Sequence, residues 1–508
     1  MKDMMQTTPN APTLEALTAL SGGVLRNAPA KPLIIEELAL DSSKIAPGGL
    51  FAALPGTRVH GATFAQQCPA GAIFTDHAGA EILESQGEQR PVLVVDDVRA
   101  VLGDVSAEVY GHPSEQMTLL GVTGTSGKTT VTYMLEKGLE AAGAKVGLIG
   151  TTGTKILGES VPTSLTTPEA PTLQALFRRM LEAGVTHVVM EVSSHALMLG
   201  RVSGTSFDVA GFTNLSQDHL DFHNSMEEYF EAKALFFDPS SRSAAKRTVV
   251  CVDDAWGERM AERAHEPVRV GTRGQEGLDV SAKQLSVDKT GAQEISLSTP
   301  SSTHTLRLQM PGAFNVANAA LATAMAYTAG VDVDAFIGGL AQAQVPGRME
   351  RIDCGQPFVA VVDYAHKPAA IAAVLDTLRE QVAGRVGVAV GAGGDRDASK
   401  RVIMGRESAQ RADLVVVTDD NPRTEEPAAI RAEVLRGARE FTDAPHHPEV
   451  REVGDRAAAI DALVQWAQPG DAIIVVGKGH EVGQIVGSTT HHFDDREEMR
   501  RALETFAR

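Results

Sequence analysis

The sequence predicts an α/β fold divided into about three domains, and three observations carry that prediction. The chain has 508 residues, of which 43% are hydrophobic, enough for several cores. Short apolar runs alternate with helix-length stretches, and many of the runs end on glycine- or charge-rich loops. Residues Thr123-Gly124-Thr125-Ser126-Gly127-Lys128-Thr129-Thr130 join the strand-like run Leu119 to Val122 to a helical stretch expected to begin near Val131.

Three blocks follow one another by texture. Block one, 1–115, has short apolar segments at Leu50 to Leu54, Ala72 to Thr75 and Val92 to Val95, punctuated by glycine and proline, which suits a small α/β domain. Block two, 116–345, opens with the glycine-rich turn. It continues through the buried-strand runs Val146 to Ile149, His187 to Met190 and Val209 to Thr213, with a helix over Pro171 to Ala183. Block three, 346–508, has four apolar runs that each end in a polar loop: Phe358 to Asp363, Val386 to Gly391, Leu414 to Val417 and Ile473 to Val476. In open parallel sheets ligands bind beyond the carboxyl ends of the strands, so these loops predict a second substrate site.

Composition excludes several classes. A net charge of −19 argues against a general nucleic-acid or membrane-surface binder, so anionic ligands need local basic pockets. Cys68, Cys251 and Cys354 are widely spaced, which indicates reduced packing residues rather than a disulfide framework or a zinc site. The first 22 residues contain no continuous apolar stretch, and no run reaches the roughly 18 apolar residues of a membrane span. The expectation is a cytoplasmic monomer without membrane insertion.

The turn at 123–130 is a phosphate cradle, in which loop amides and a helix N-terminus face an anion, Lys128 supplies a point charge and Thr129 offers a hydroxyl to Mg²⁺. It is a variant P-loop, because Val122 stands where the usual pattern has its first glycine. The implied ligand is a nucleoside triphosphate. Glu191-Val-Ser193-Ser194-His195 and Asp218-His219 follow buried strands and offer carboxylate and imidazole donors to a metal beside the phosphates, although Asp218-His219 could instead cap the next helix. Composition alone makes Lys233, in the aromatic-rich helix Tyr229 to Phe236, a snorkelling or surface lysine. Asn315 and Asn318 suit caps of a helix over Ala319 to Ala329, and Arg348 lies either on a solvated linker or within reach of a phosphate on the neighbouring domain.

In this order the elements resemble the Mur ligase family, the ATP-dependent amide-bond ligases that build the peptidoglycan stem peptide, and the resemblance covers nearly the whole chain. It implies a UDP-binding N-terminal domain, a central P-loop ATPase domain and a Rossmann-like C-terminal domain that closes over the site. It further implies that Gly124, Thr125, Ser126, Gly127, Lys128, Thr129 and Thr130 hold ATP phosphates, Asn315 the adenine and Asp363 the ribose. Arg348 would approach the phosphates across the domain junction. Thr129 and Glu191 would bind one Mg²⁺, His219 would contribute to a second, and a carbamylated Lys233 would help hold Mg²⁺ next to the γ-phosphate. Leu40, Ser42, Thr166, Thr167, Ser193 and Arg201 match positions for the UDP-sugar peptide.

Within the family, the Gly393-Gly-Asp-Arg396-Asp, Asp420-Asn421-Pro422-Arg423 and Gly477-Lys-Gly-His-Glu481 loops match the branch that adds the third amino acid. The partners so implied are ATP, UDP-N-acetylmuramoyl-L-Ala-D-Glu and meso-diaminopimelate, with L-lysine as the alternative amine. Arg396, Asp420, Asn421, Pro422, Arg423, Gly477 and Glu481 match the amino-acid contacts. Meso-diaminopimelate carries a distal carboxylate that lysine lacks, and an arginine at 423 can pair with it bidentately. A folylpolyglutamate-type ligase would leave these loops without a role, as would a P-loop switch that only hydrolyses nucleotide.

Overall fold

The computed structural model describes residues 11–163, 165–218, 222–288, 291–440 and 447–506. Three large sheets follow one another along the chain. The first orders its strands Val24–Arg26, Val92–Val95, Ala72–Asp76, Leu50–Ala53 and Leu38–Ala39, all parallel except the first. Its three apolar runs are the three strands expected from sequence.

The second sheet has 11 strands, with Thr118–Thr123 in its parallel core between His187–Glu191 and Val209–Phe212. A hairpin, Gly153–Ile156 and Glu159–Val161, extends one edge beyond Val146–Gly150. Apolar clusters cover both faces: Leu120, Val122 and Met134 pack on one side, Leu119, Phe177 and Phe236 on the other. Burial on both faces explains why these strands are nearly continuous runs of Val, Leu and Ile.

The third sheet orders Glu350–Arg351, Val359–Asp363, Ala472–Val476, Val386–Val390, Leu414–Val417 and Glu449–Glu452, parallel except at its first edge. All four polar loops expected to gather leave the carboxyl ends of neighbouring parallel strands, so they share one rim. Among the described residues no helix is long and apolar enough to cross a membrane. The cysteines are free, Cys68 and Cys251 buried.

Element ends differ from expectation in two informative places. The P-loop helix spans Lys128–Ala141 and starts earlier than Val131, because Gly127 at φ 88° caps it and releases Lys128 directly into helical geometry. The helix expected from Ala319 spans Ala313–Thr328, which puts Asn315 and Asn318 inside it rather than at its cap. Their amides are used locally: Asn315 Nδ2 donates to Pro311 O at 2.7 Å, and Asn318 Nδ2 donates to Asn315 Oδ1 at 3.0 Å.

A fully buried ion pair ties the C-terminal helices to the third sheet. Arg456 donates from Nε and Nη2 to Asp495 at 2.7 Å each, and Nη2 also reaches Val476 O at 2.9 Å. Removing one partner strands a buried charge, so Arg456→Met is expected to cost about 3–5 kcal/mol. Chemical denaturation measures it, and a loss below about 1 kcal/mol, the range of an exposed pair, would refute that account.

Candidate active site

The phosphate cradle is built by close backbone approach. Gly124 has φ 142°, and a Cβ there would lie 1.9 Å from Thr213 Oγ1; a Cβ on Gly127 would lie 2.4 Å from Asn318 Oδ1. A side chain at either position would have to displace its neighbour and would sit at a strained positive φ. Thr213 Oγ1 donates to Ser126 O at 2.7 Å, and Thr125 N donates to Asn214 O at 2.9 Å, which fixes the loop to the neighbouring strand end. Lys128 folds back over the turn, its Nζ donating to Gly124 O at 2.9 Å and Thr125 O at 3.1 Å. Burial pushes its ammonium down to about 8, against the pull of the Glu191 carboxylate.

Behind the lysine is an oxygen-rich floor. Thr129 Oγ1 donates to Glu191 Oε1 at 2.9 Å, and Thr151 donates to the same carboxylate from N at 2.9 Å and from Oγ1 at 3.1 Å. These are hard donors of the kind Mg²⁺ takes. Among the described residues no three His, Cys, Asp or Glu side chains are grouped to hold a metal ion. His219 lies outside the described residues. Its neighbour Asp218 pairs with Lys367 Nζ at 2.5 Å and so links the central sheet's loops to the C-terminal unit. The next described helix, Met226–Ala234, is capped by Ser225.

Lys233 corrects the reading from composition. It is 1% exposed, its Nζ donates to Gly124 O at 3.0 Å, and it lies 4.5 Å from the centre of the Tyr229 ring. Burial holds its pKa well below the usual lysine range, reinforced by the charges of Lys128 and Lys367 and opposed by Asp218.

Arg348 is not on a solvated linker. Its Nη2 lies 3.5 Å from Thr129 Oγ1, and the guanidinium stacks 4.3 Å from the Tyr364 ring centre. Asp363 is buried at the end of its strand and accepts Met349 N at 2.6 Å and Ala365 N at 2.7 Å, thereby fixing the turn that carries Arg348. Burial raises its pKa, with Arg348 opposing.

The candidate sugar-peptide residues divide. Thr166 Oγ1 is 3.2 Å from Thr151 Oγ1, Thr167 Oγ1 donates to Glu191 O at 2.8 Å, and Ser193 N donates to Thr167 Oγ1 at 3.2 Å. Arg201 joins them through Thr167 O at 3.3 Å and pairs with Glu169 at 2.9 Å. All four therefore adjoin the Glu191 floor. Leu40 and Ser42 stand on the turn after Leu38–Ala39 in the first sheet and are not part of this cluster.

The C-terminal loops line a cavity of about 670 Å³, whose opposite wall is the Gly153–Val161 hairpin region, with Thr151, Thr154 and Thr163. Arg423 and Glu481 both face it. Arg423 has φ 52°, is paired by its backbone to Ile485 and Gly487, and donates from Nη1 to Gly394 O at 2.7 Å. Glu481 Oε2 accepts from Asn421 Nδ2 at 3.3 Å, and Asn421 Oδ1 accepts from Lys478 Nζ at 2.8 Å. A Cβ on Gly477 would lie 3.0 Å from Asp420 Oδ2, and Pro422 directly precedes Arg423. Arg396 is exposed on the loop after Val386–Val390; its Cγ would lie 3.8 Å from a Cβ on Gly393, which would also touch Arg423 Nη1 at 3.0 Å. Sequence reasoning missed Thr151, Tyr364, Lys367 and the buried Lys478. Their positions at strand carboxyl ends were the available signal.

Known proteins match along nearly the whole chain. Three family models match in order: Mur ligase family, catalytic domain at 34–110, Mur ligase middle domain at 122–326, and Mur ligase, glutamate ligase domain at 347–479. The UDP-N-acetylmuramoyl-L-alanyl-D-glutamate–2,6-diaminopimelate ligase of Corynebacterium glutamicum is 62% identical over 96% of each chain, and that of Streptomyces avermitilis 44% over 96% of each. A solved structure of a ligase of that name superposes at TM-score 0.65 with 30% identity, covering 94% of this chain and 96% of its own. MurF ligase from Thermotoga maritima in complex with ADP shares the fold at TM-score 0.65 and 20% identity, over 94% of this chain and 98% of its own. With a phosphate loop, an oxygen-lined floor and a two-walled cavity in one cleft, and with these relatives spanning almost its full length, the chain belongs to the Mur ligase family.

Proposed function

We infer that this chain joins the amine of meso-2,6-diaminopimelate to the D-glutamate carboxylate of UDP-N-acetylmuramoyl-L-alanyl-D-glutamate, with ATP cleaved to ADP and phosphate. The observation that carries this reading is the cavity, which holds Arg423 and Glu481 on one wall beside the Thr151 and Glu191 floor of the phosphate loop. A diamino acid with a second carboxylate matches that pair of charges.

The carboxylate oxygen of the D-glutamate attacks the γ-phosphorus, the bond to ADP breaks, and an acyl-phosphate results. Lys128 and the loop amides would hold the phosphates, and Arg348 would balance the charge that builds at the transfer. Thr129, Glu191 and His219 are the residues that would hold Mg²⁺, which supplies charge neutralisation between the two anions when bound. The diamino acid's amine then attacks the acyl carbon, and the tetrahedral adduct expels phosphate. Holding nucleophile and acyl-phosphate in one closed cleft supplies the positioning.

Lys233 is proposed as a carbamate. Only a neutral amine captures CO₂, and burial beside two other lysines favours the neutral form. Asn315 and Asp363 would meet adenosine. Leu40, Ser42, Thr166, Thr167, Ser193 and Arg201 would meet the UDP-sugar peptide, and Arg396, Asp420, Asn421, Pro422, Arg423, Gly477 and Glu481 the amino acid. The enzyme is proposed to work as a monomer in the cytoplasm.

The test is phosphate release from ATP and Mg²⁺ with the UDP-dipeptide, comparing meso-diaminopimelate with L-lysine. Release with diaminopimelate, together with a tripeptide product, is expected; lysine preference would overturn the choice of amine, and amine-independent hydrolysis the ligase reading itself. Lys128→Met should lower the rate by about 10²- to 10³-fold by removing a preorganised cation from the phosphates. A variant within about tenfold of the parent would place the lysine outside the reaction.

A further inference from the structure

Tyr364 touches both halves of the site. Its hydroxyl donates to Glu481 Oε1 at 3.0 Å, on the cavity wall. Its ring lies under the Arg348 guanidinium at 4.3 Å, and Arg348 in turn reaches Thr129 Oγ1 at 3.5 Å. The His480 ring, which also lines the cavity, packs on the same tyrosine at 5.0 Å between centres.

The backbone around this stack allows little independent movement. A Cβ on Gly347 would lie 2.1 Å from Gly479 C and His480 N, and a Cβ on Gly479 would lie 2.6 Å from Gly347 O and 2.7 Å from Tyr364 Cβ. The two glycines therefore let the turn carrying Arg348 sit directly on the loop carrying Glu481. Asp363 holds the other side of that turn through Met349 N, where Met349 adopts φ 46°. Arg348 and Glu481 thus belong to one packed unit with Tyr364 at its centre. Neither the phosphate chemistry nor recognition of the diamino acid by itself requires a tyrosine at this point.

We propose that Tyr364 is a positioning residue that ties the amino-acid pocket to the phosphate-side arginine: its hydroxyl holds Glu481 ready for the incoming ammonium, and its ring seats Arg348 beside Thr129. The inference rests on the reading of the cavity as the diamino-acid site. Its two arms separate experimentally, because phenylalanine keeps the ring and loses the hydroxyl, whereas leucine loses both.

Two rates are measured on the full chain: phosphate release as a function of meso-diaminopimelate, and acyl-phosphate formation from ATP and UDP-dipeptide without amino acid, trapped by hydroxylamine. Tyr364→Phe is expected to raise KM for diaminopimelate about 10- to 100-fold, the worth of one hydrogen bond to a charged group, while the trapping rate stays at the parent value. Tyr364→Leu is expected to show the same KM rise and in addition to lower the trapping rate by about tenfold or more as Arg348 loses its seat. Loss of ring packing alone would not produce this split. An unchanged KM in the phenylalanine variant, or an unchanged trapping rate in the leucine variant, overturns the proposal. Should Tyr364→Leu fail to fold by thermal melting, Tyr364→Met takes its place for the second arm. Failure of the parent to ligate diaminopimelate would instead overturn the functional reading, which separates the two failures.

Discussion

Lys233→Ala is expected to lower diaminopimelate-dependent phosphate release by about 10²- to 10³-fold without loss of the fold. The side chain is buried beneath the phosphate loop, with its amine 3.0 Å from Gly124 O. As an ammonium it would be a third cation beside Lys128 and Lys367, opposed by the shared Asp218, and burial already disfavours the charged form. An amine that captures CO₂ becomes an anion, so a carbamate on Lys233 would reverse the sign of the charge beneath the phosphate loop. Alanine removes that anion but also removes a desolvated amine, so thermal stability without nucleotide should be kept. Short carboxylic acids added to the variant should restore part of the rate by placing a carboxylate in the vacated space. A carbamate resonance after incubation of the parent with ¹³C-bicarbonate, absent in the variant, checks the chemistry directly. Full activity of Lys233→Ala would end the assignment.

Arg423→Ala should collapse amino-acid selection. The parent is expected to prefer meso-diaminopimelate to L-lysine by roughly 10⁴- to 10⁵-fold in kcat/KM, because lysine would leave a preorganised guanidinium facing the cavity without its carboxylate. The structure holds this arginine in advance. Its backbone is in the left-handed region at φ 52°, bonded to the Gln484–Val486 strand, and Nη1 is steadied by Gly394 O. Alanine removes both the attraction for the second carboxylate and the penalty against lysine. The value for diaminopimelate should fall about 10²- to 10³-fold and the preference should shrink to about tenfold or less. Arg423→Lys should recover only part of the loss, since an ammonium cannot make the bidentate contact. Steady-state kcat/KM for each amine with each variant measures this. A preference that survives in the alanine variant would move the source of selection to other residues on the cavity wall.

Many strands were legible where a sheet is covered on both faces, because runs such as Val92–Val95 and Ala472–Val476 have no polar alternation to blur them, whereas Arg247–Cys251 of the second sheet was not read. The phosphate loop was legible because two positive-φ glycines and a lysine serve one purpose in one short stretch. Lys233 was misread by composition. Its helix has aromatic residues around a single lysine, the pattern of a snorkelling side chain, and nothing local records that the helix packs against the underside of a loop 109 residues away. The asparagines of the Ala313–Thr328 helix were placed at a cap for a similar reason: the cap is Gly312, and what occupies Asn318 is the Gly127 turn from another segment.

The sequence by itself determined the α/β class, the three-part organisation and the chemical types at the ends of the strands, since periodicity, glycine placement and charge are local properties of the chain. The tertiary structure alone decided that Lys233 is buried, that Asp218 meets Lys367, and that Arg348, Tyr364 and Glu481 form one packed unit. Each of those facts joins residues separated by 16 to 149 positions, Tyr364 from Arg348 and Lys367 from Asp218 at the extremes. Desolvation and charge pairing depend on what packs around a group, and only the folded chain fixes those neighbours.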